Sequence, residues 1–308
     1  MRRLPRRPSV PSTPRKDRRA DLMLVATIVI WALNFTVTRY IVQHGFHPLA
    51  YSSVRYGIAA TLFATFTYGY ERSLAVRRRD IVLLVGAAGV GVWLNQLSYV
   101  YAIKFTNAST TALILGTTPI FAALIAYAIG LERVSRWFWA ATAVSFGGVA
   151  LVAVGSGSVS GDIKGDLLGV ATAATWAAYS VAIAPLMRRY SPYRISAIVL
   201  VVGWIAVAAT GSHQLATQSF DLRWEVWALL AFAVLGPLVL TNILWFKAVD
   251  RVGPSHATLF ANLQPFLAVV FAVLLLSEDI SWLQILGGVA IGIGILMARR
   301  RQEEALIP

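Results

Sequence analysis

The chain has 308 residues, of which 57% are hydrophobic and 13% are charged, and its mean hydropathy is +0.67. Soluble domains carry about 25% charged residues, so this composition excludes an ordinary water-soluble protein. The net charge of +13 comes without an aromatic and basic recognition module, and we expect no nucleic-acid partner. The lack of cysteine excludes disulfides and cysteine-based metal sites, and we expect no cofactor and no metal.

Ten apolar runs follow one another along the chain, each near the length of about 20 residues that crosses a bilayer as a helix. They cover about 22–42, 49–69, 81–103, 108–130, 137–154, 167–187, 195–211, 224–248, 254–276 and 282–298. The first run is longer than the roughly 7–15 apolar residues of a signal peptide, so we expect it to be retained. Because lipid leaves backbone groups without water, these runs predict helices. The predicted fold is an all-α integral membrane protein with ten transmembrane helices.

The basic residues indicate how these spans are oriented. Twenty-two of the 27 lie in the first 20 residues, in every second loop and at the end of the chain, whereas Lys104, Lys164 and Arg223 lie in the other loops. Basic residues collect on the cytoplasmic side, so both termini are predicted inside. The basic amino-terminal segment also favours contact with anionic membrane lipids.

An internal duplication divides the chain into two halves. Residues 107–135 and 253–281 match at an offset of 146, with Pro119 aligned to Pro265 and Glu132 to Glu278. Each half contains five spans, an odd number, so the halves are predicted to be inverted around a central cavity. The predicted organisation is a basic cytoplasmic segment (1–20), a first repeat (21–154), an external Gly/Ser linker (155–165), a second repeat (166–298) and a cytoplasmic tail (299–308).

Several short motifs resemble one known family. They are Trp31-Ala-Leu-Asn34, Ala102-Ile-Lys-Phe-Thr-Asn-Ala108 and the two blocks that run from proline to glutamate. Together with the layout of spans they resemble the drug/metabolite transporter superfamily, specifically its EamA-type ten-helix members, over residues 20–300. The resemblance implies two facing five-helix bundles that export small metabolites from the bacterial cytoplasm across the inner membrane. Among its branches, the chain is most similar to the aromatic amino-acid exporters.

Polar and aromatic residues inside the spans indicate where a solute would bind, because polar groups are costly in lipid. Those of the first and sixth spans lie at helical spacing along one face. The candidate substrate-binding residues are Trp31, Asn34, Gln96, Tyr99, Trp176, Tyr179, Asn242, Trp245 and Asn262. Aromatic faces and amides suit a small polar or zwitterionic solute with an apolar side group. The alternative is that these residues hold helices together.

Five further residues, two prolines, two glutamates and Arg55, are predicted to have roles other than those of the stripes. Pro119 and Pro265 lie in mid-span and lack a backbone N–H, so each is predicted to kink its helix. The kinks are interpreted as hinges of alternating access. The alternative is that they only give the helix a fixed shape. Glu132 and Glu278 are interpreted as structural anchors at span ends. Arg55 lies well inside the second span and is interpreted as structural, by snorkelling toward an interface, with binding of a substrate carboxylate as the alternative.

The predicted function is that of a secondary transporter or facilitator of small metabolites, most of all aromatic or apolar amino acids. Broad drug, metabolite, nucleobase or sugar efflux remains open. No acidic residue or histidine lies in mid-span, which favours facilitated diffusion or exchange over proton coupling. An intramembrane enzyme would need a catalytic cluster, and an ion channel a charged ring or filter loop; the sequence contains neither. The sequence does not indicate an oligomeric state.

Overall fold

The computed structural model describes residues 17–130, 136–155, 163–252, 257 and 260–304, and within these ranges it contains helices and no strand. We label the long helices in chain order. They are α1 (Arg18–Gln43), α2 (Pro48–Glu71), α3 (Arg78–Phe105), α4 (Ala108–Ala128), α5 (Arg136–Gly155), α6 (Lys164–Ile183), α7 (Pro192–Thr210), α8 (Trp224–Val252), α9 (Gln264–Leu276) and α10 (Trp282–Glu304). A short helix, Ser212–Ala216, precedes α8.

Seven of the described helices are long and apolar enough to cross a membrane: α1, α3, α4, α5, α6, α7 and α8. The apolar parts of α9 and α10, Gln264–Leu276 and Trp282–Met297, are shorter. The 24 residues of α2 include Arg55 and four tyrosines, which make this helix less apolar. These lengths and compositions are those of a multi-pass helical membrane protein. The prediction of ten spans goes beyond this finding.

Local sequence signals explain where several helices begin. The side chains of Asp17, Asn107 and Ser191 accept hydrogen bonds from backbone N–H groups in the first turns of α1, α4 and α7, as capping residues do. Proline occupies the first turn of α2 (Pro48) and of α7 (Pro192), where its missing donor costs nothing. The hydrogen bond from the Ala20 N–H lowers the pKa of the Asp17 carboxyl.

Three pairs of corresponding helices, α2 with α7, α4 with α9 and α5 with α10, pack against each other and run antiparallel. In the pair of α2 with α7, the Trp204 indole donates to the backbone carbonyl of Ser53. Further along α2, the Thr67 hydroxyl donates to the carbonyl of Tyr193, near the start of α7.

In the pair of α4 with α9, Ala108 bonds to Glu278 just beyond the end of α9, whereas Gly116 lies near Pro265 at its start. In the pair of α5 with α10, Ser145 lies near Gly294 and Gly148 near Gly287, again in reversed order. The core therefore lies between the halves and is shared by them.

Glycines bring α5 and α10 into backbone contact. A Cβ added to Gly148 would lie 2.6 Å from the carbonyl oxygen of Gly287, and one added to Gly287 would lie 2.5 Å from that of Gly148. By contrast, a Cβ on the neighbouring Gly147 would meet nothing within 4 Å. The close approach thus depends on the absence of a side chain at Gly148 and Gly287, as in other tightly packed membrane helices.

We expect Gly148→Ala to destabilise the protein by about 1–3 kcal/mol, because the methyl group forces two backbones apart. Gly147→Ala is the matched control. It adds the same methyl group to the same helix without a clash, and it should be neutral or stabilising by up to about 1 kcal/mol. Thermal unfolding of the detergent-purified proteins, followed by size-exclusion chromatography, measures both. Equal melting temperatures for the two variants would contradict the proposed contact.

Candidate substrate-binding site

Two helices depart from α-helical geometry at equivalent points of the repeats. α3 contains a π-helical stretch at Gly89–Leu94, and α8 contains one at Leu235–Leu240. The two stretches are separated by 146 residues, the offset of the sequence duplication. Such wide turns disturb the regular pairing of backbone groups and often occur at functional sites. The candidate site is built around them.

In α8, the irregular stretch leaves a backbone carbonyl without its ordinary donor. Pro237 has no N–H, so it cannot donate to the carbonyl of Ala233 four residues earlier, as an α-helix requires. The Nε of Arg55, from α2, donates to that carbonyl at 3.1 Å. A buried guanidinium therefore takes the place of a missing backbone donor.

Arg55 lies in the protein interior with only 2% of its surface exposed, so it does not snorkel toward an interface. One of its terminal nitrogens donates to Asn34 Oδ1 at 3.3 Å. The rings of Tyr51 and Tyr56 lie 5.7 and 5.6 Å from its Cζ atom, close enough for cation–π attraction. The surroundings of this cation are thus aromatic rings and neutral oxygens.

The amide of Asn34 links this cation to α3. Asn34 Nδ2 donates to the hydroxyl of Tyr99 at 3.2 Å. Gln96 precedes Tyr99 by three residues and so lies on the same face of α3. Its nitrogen donates to Asn95 Oδ1 at 3.5 Å, while its oxygen is buried and has no hydrogen-bond partner. We call Asn34, Arg55, Gln96 and Tyr99 the polar cluster; each is less than 8% exposed.

A tryptophan pair joins α1 to α8. The ring centroids of Trp31 and Trp245 lie 5.3 Å apart at an interplanar angle of 41°. Trp31 Nε1 donates to Thr241 Oγ1 at 2.9 Å and to the carbonyl of Pro237 at 3.3 Å. Trp31 and Asn34, on the predicted stripe of α1, therefore both bond to other helices, which is the arrangement that the alternative interpretation of this stripe describes.

The remaining predicted binding residues are more dispersed. Trp176 and Tyr179 contact each other on α6 with centroids 5.4 Å apart, and Trp176 is 45% exposed. Asn242 donates to the carbonyl of Leu238 in its own helix at 2.7 Å. Asn262 lies in the turn that precedes α9 and is partly buried. The structure thus brings together Asn34 with Tyr99 and Trp31 with Trp245, but it does not gather all nine residues around one opening.

At the equivalent π-helical stretch of α3, an aromatic ring packs directly against the backbone. A Cβ added to Gly91 would lie 2.3 Å from the ring of Tyr179. Next to this contact, a cavity of about 520 Å³ extends between α3 and α6, lined by apolar residues with Arg79 among them. None of the nine predicted binding residues lines this cavity. This cavity is therefore not the predicted central pocket.

The two proline blocks interrupt their helices at equivalent points. α4 breaks at a two-residue turn, Gly116 and Thr117, just before the segment that begins with Thr118 and Pro119. A two-residue turn likewise precedes Gln264 and Pro265 at the start of α9. The expected kinks are thus helix breaks, while the hinge role stays a prediction.

Glu278 ties the second repeat to the first. Its carboxylate accepts hydrogen bonds from the N–H groups of Ala108 and Ser109, at 2.9 and 3.0 Å, and from the Ser109 hydroxyl at 2.6 Å. It therefore caps the amino terminus of α4, which satisfies donors that a helix start leaves open. Glu132, its sequence counterpart, lies outside the described residues.

Several residues of the site were not among those that the sequence analysis selected. They are Tyr51 and Tyr56, which flank the cation, and Pro237 and Ala233, which create its acceptor. Pro237 alone gave a visible signal, since it is a proline in the middle of an apolar run. The tyrosines gave none, because aromatic residues in a span are common at interfaces as well.

Antiparallel pairs of corresponding helices, a repeated helix order and polar groups buried near helix breaks are features of many membrane transporters. A sequence model of the EamA-like transporter family matches residues 18–154 and again residues 163–300. The chain belongs to this family. It is a membrane transporter built from two copies of one unit.

Individual relatives agree with this membership. The uncharacterized transporter YyaM of Bacillus subtilis (strain 168) is 26% identical over 289 residues, which cover 90% of this chain and 92% of that protein. A probable terminal-alkyne amino-acid exporter of Streptantibioticus cattleyicolor is 27% identical over 291 residues, which cover 93% and 95%. One solved crystal structure shares the fold, with a TM-score of 0.63 at 17% identity over 92% of this chain and 98% of that chain.

Proposed function

We propose that the protein is a secondary transporter or facilitator that exports small metabolites, most of all amino acids with aromatic or apolar side groups, across the bacterial inner membrane. The observation that carries this proposal is the position of the contacting rings of Trp31 and Trp245 beside the polar cluster. Aromatic faces suit the side group of such a solute, and the amides and the guanidinium suit its polar part. The similarity to a relative named as a probable amino-acid exporter supports the same substrate class.

The proposed architecture has ten transmembrane helices in two inverted halves, with both termini in the cytoplasm. The antiparallel pairing of corresponding helices supports the inversion, because a twofold axis in the membrane plane relates such pairs in this way. The distribution of basic residues supports the orientation. Alternating access would open the site to each side in turn, with the breaks at Pro119 and Pro265 as hinges.

Single cysteines test the orientation directly, since the natural chain contains none. Ala75→Cys lies in the exposed loop between α2 and α3, and Ala216→Cys lies at the exposed end of the short helix before α8. A membrane-impermeant maleimide added to intact spheroplasts should label Ala216→Cys and should label Ala75→Cys only after permeabilisation. The reverse pattern would overturn the proposed orientation, and labelling of both in intact spheroplasts would contradict the proposed number of spans between them.

A substrate test uses purified protein in liposomes loaded with unlabelled solute. We expect labelled L-phenylalanine and L-leucine to enter by exchange, whereas uracil and glucose do not. An imposed pH gradient should not concentrate the amino acids, because among the described residues no carboxylate or histidine lies in the middle of a span. Protein-free liposomes are the control. Uptake of uracil or glucose in place of amino acids would favour the broader efflux function. If the protein increased the uptake of none of these solutes, the proposal would be wrong.

Removing both helix breaks should slow exchange. Pro119→Ala combined with Pro265→Ala restores the backbone donor at each break and favours a continuous helix, so we expect L-phenylalanine exchange to fall several-fold at unchanged protein content. Pro192→Ala is the control, since Pro192 lies in the first turn of α7 and interrupts no helix. Exchange rates are measured in parallel liposome preparations. An unchanged rate in the double variant would rule out hinges at these positions.

A further inference from the structure

We infer that the polar cluster is a receptor for a zwitterion, in which Arg55 binds the carboxylate of the solute and the Gln96 side-chain oxygen accepts from its ammonium group. This inference rests on the proposed function and assigns its recognition chemistry to two residues. It adds a contact with the solute to the structural role that the sequence favoured for Arg55. It also gives Gln96 a defined partner.

The first observation is a buried positive charge without a carboxylate partner. In the described part of the chain the ion pairs join Arg189 to Asp80, Arg194 to Glu71, Arg223 to Glu225 and Arg251 to Asp17, and none involves Arg55. The partners of Arg55 are a backbone carbonyl and an amide oxygen. Burial of a charge is costly unless an opposite charge accompanies it. A carboxylate that arrives with the solute supplies that charge.

The second observation is a buried acceptor without a donor. The Gln96 oxygen has no hydrogen-bond partner, although the residue is only 5% exposed. Nearly all buried polar side-chain atoms have a partner, so this atom stands ready for a donor. An ammonium group offers three N–H donors and carries the charge that strengthens such a bond.

The third observation is that hydrogen bonds lead from Arg55 to the face of α3 that carries Gln96. The hydrogen bonds run from Arg55 to Asn34 and from Asn34 to Tyr99. Gln96 lies on α3 one helical turn before Tyr99, which corresponds to a rise of about 5 Å. The carboxylate and the ammonium of an α-amino acid are attached to one carbon, and the inference requires that one such molecule contacts both poles at once. Phe35, whose ring centroid lies 5.6 Å from that of Tyr99, adds an apolar surface beside them.

Three related solutes separate the roles of the two poles. L-Phenylalanine carries both charges, L-phenylalaninamide lacks the carboxylate, and 3-phenylpropionate lacks the ammonium group. Exchange of each into liposomes gives KM for the wild type and its variants. We expect Arg55→Gln to raise KM about tenfold or more for L-phenylalanine and 3-phenylpropionate, since a charged hydrogen bond is lost, and to leave KM for the amide unchanged.

Gln96→Leu should show the complementary pattern. KM should rise for L-phenylalanine and L-phenylalaninamide and stay the same for 3-phenylpropionate. Arg39→Gln is the matched control. Arg39 is the other arginine within an apolar run, its guanidinium donates to the carbonyls of Ile103 and Lys104 outside the polar cluster, and its replacement should not separate the three solutes.

The outcomes distinguish this inference from the function on which it rests. If the wild type carries none of the three solutes, the proposed function fails and the inference fails with it. If the wild type exchanges L-phenylalanine but Arg55→Gln affects all three solutes equally or none of them, the function stands and the zwitterion receptor is wrong. If Arg55→Gln does not purify as a folded protein, Arg55→Lys serves instead. It keeps the charge but loses the planar fork, and it should still raise KM for the two carboxylates relative to the amide.

Discussion

A backbone polar group buried in a membrane protein must find a partner, because the surrounding hydrocarbon supplies no water. This constraint shapes the centre of the molecule. Pro237 removes one backbone donor from α8, and the carbonyl that it would have served is bonded by Arg55 from α2. The carbonyl of Pro237 itself accepts from Trp31 of α1. A single break in helical hydrogen bonding therefore draws three helices together and fixes the positions of a cation and an indole.

Duplication produced this irregularity twice, yet the two copies differ in chemistry. Gly91 of α3 stands where α8 has Pro237. Glycine keeps its N–H, so no cation is needed to satisfy the carbonyl four residues earlier. Its missing side chain instead admits the ring of Tyr179. One backbone feature thus supports a charged contact in one half and a close aromatic contact in the other.

The sequence predicts the helical framework better than it predicts the candidate site. Hydropathy indicates long apolar helices, and the proline blocks indicate where α4 and α9 break, because both are local properties of the chain. The partners of Arg55 are not local: Ala233 is separated from it by 178 residues. Nothing in the composition of either helix indicates that they meet. The apolar run of α2 likewise gives no indication that Arg55 points inward, since a long side chain near a span end also has the option of snorkelling.

The candidate binding residues show the same limit in a different way. The stripe on α1 correctly identifies a buried polar face, but periodicity cannot tell whether that face meets a solute or another helix. In the structure Trp31 and Asn34 bond to other helices, and only the unpaired oxygen of Gln96 reveals that the polar cluster is incomplete. An unsatisfied atom is a property of packing in three dimensions, so no pattern in the sequence predicts it.

The two halves of this protein therefore share a helical framework but differ in the side chains around the candidate site. Antiparallel pairing makes the two halves alike as frameworks, and it depends on contacts such as that between Gly148 and Gly287. The polar cluster does not obey that symmetry, because the positions of α7 that match Arg55, Leu200 and Val201 at offsets of 145 and 146, are both apolar. A dipolar solute held by unequal poles has one orientation relative to the two halves, whichever side of the membrane it enters from. Selectivity can thus change through a few side chains of the cluster, while the helix pairs on which alternating access would rely remain as they are.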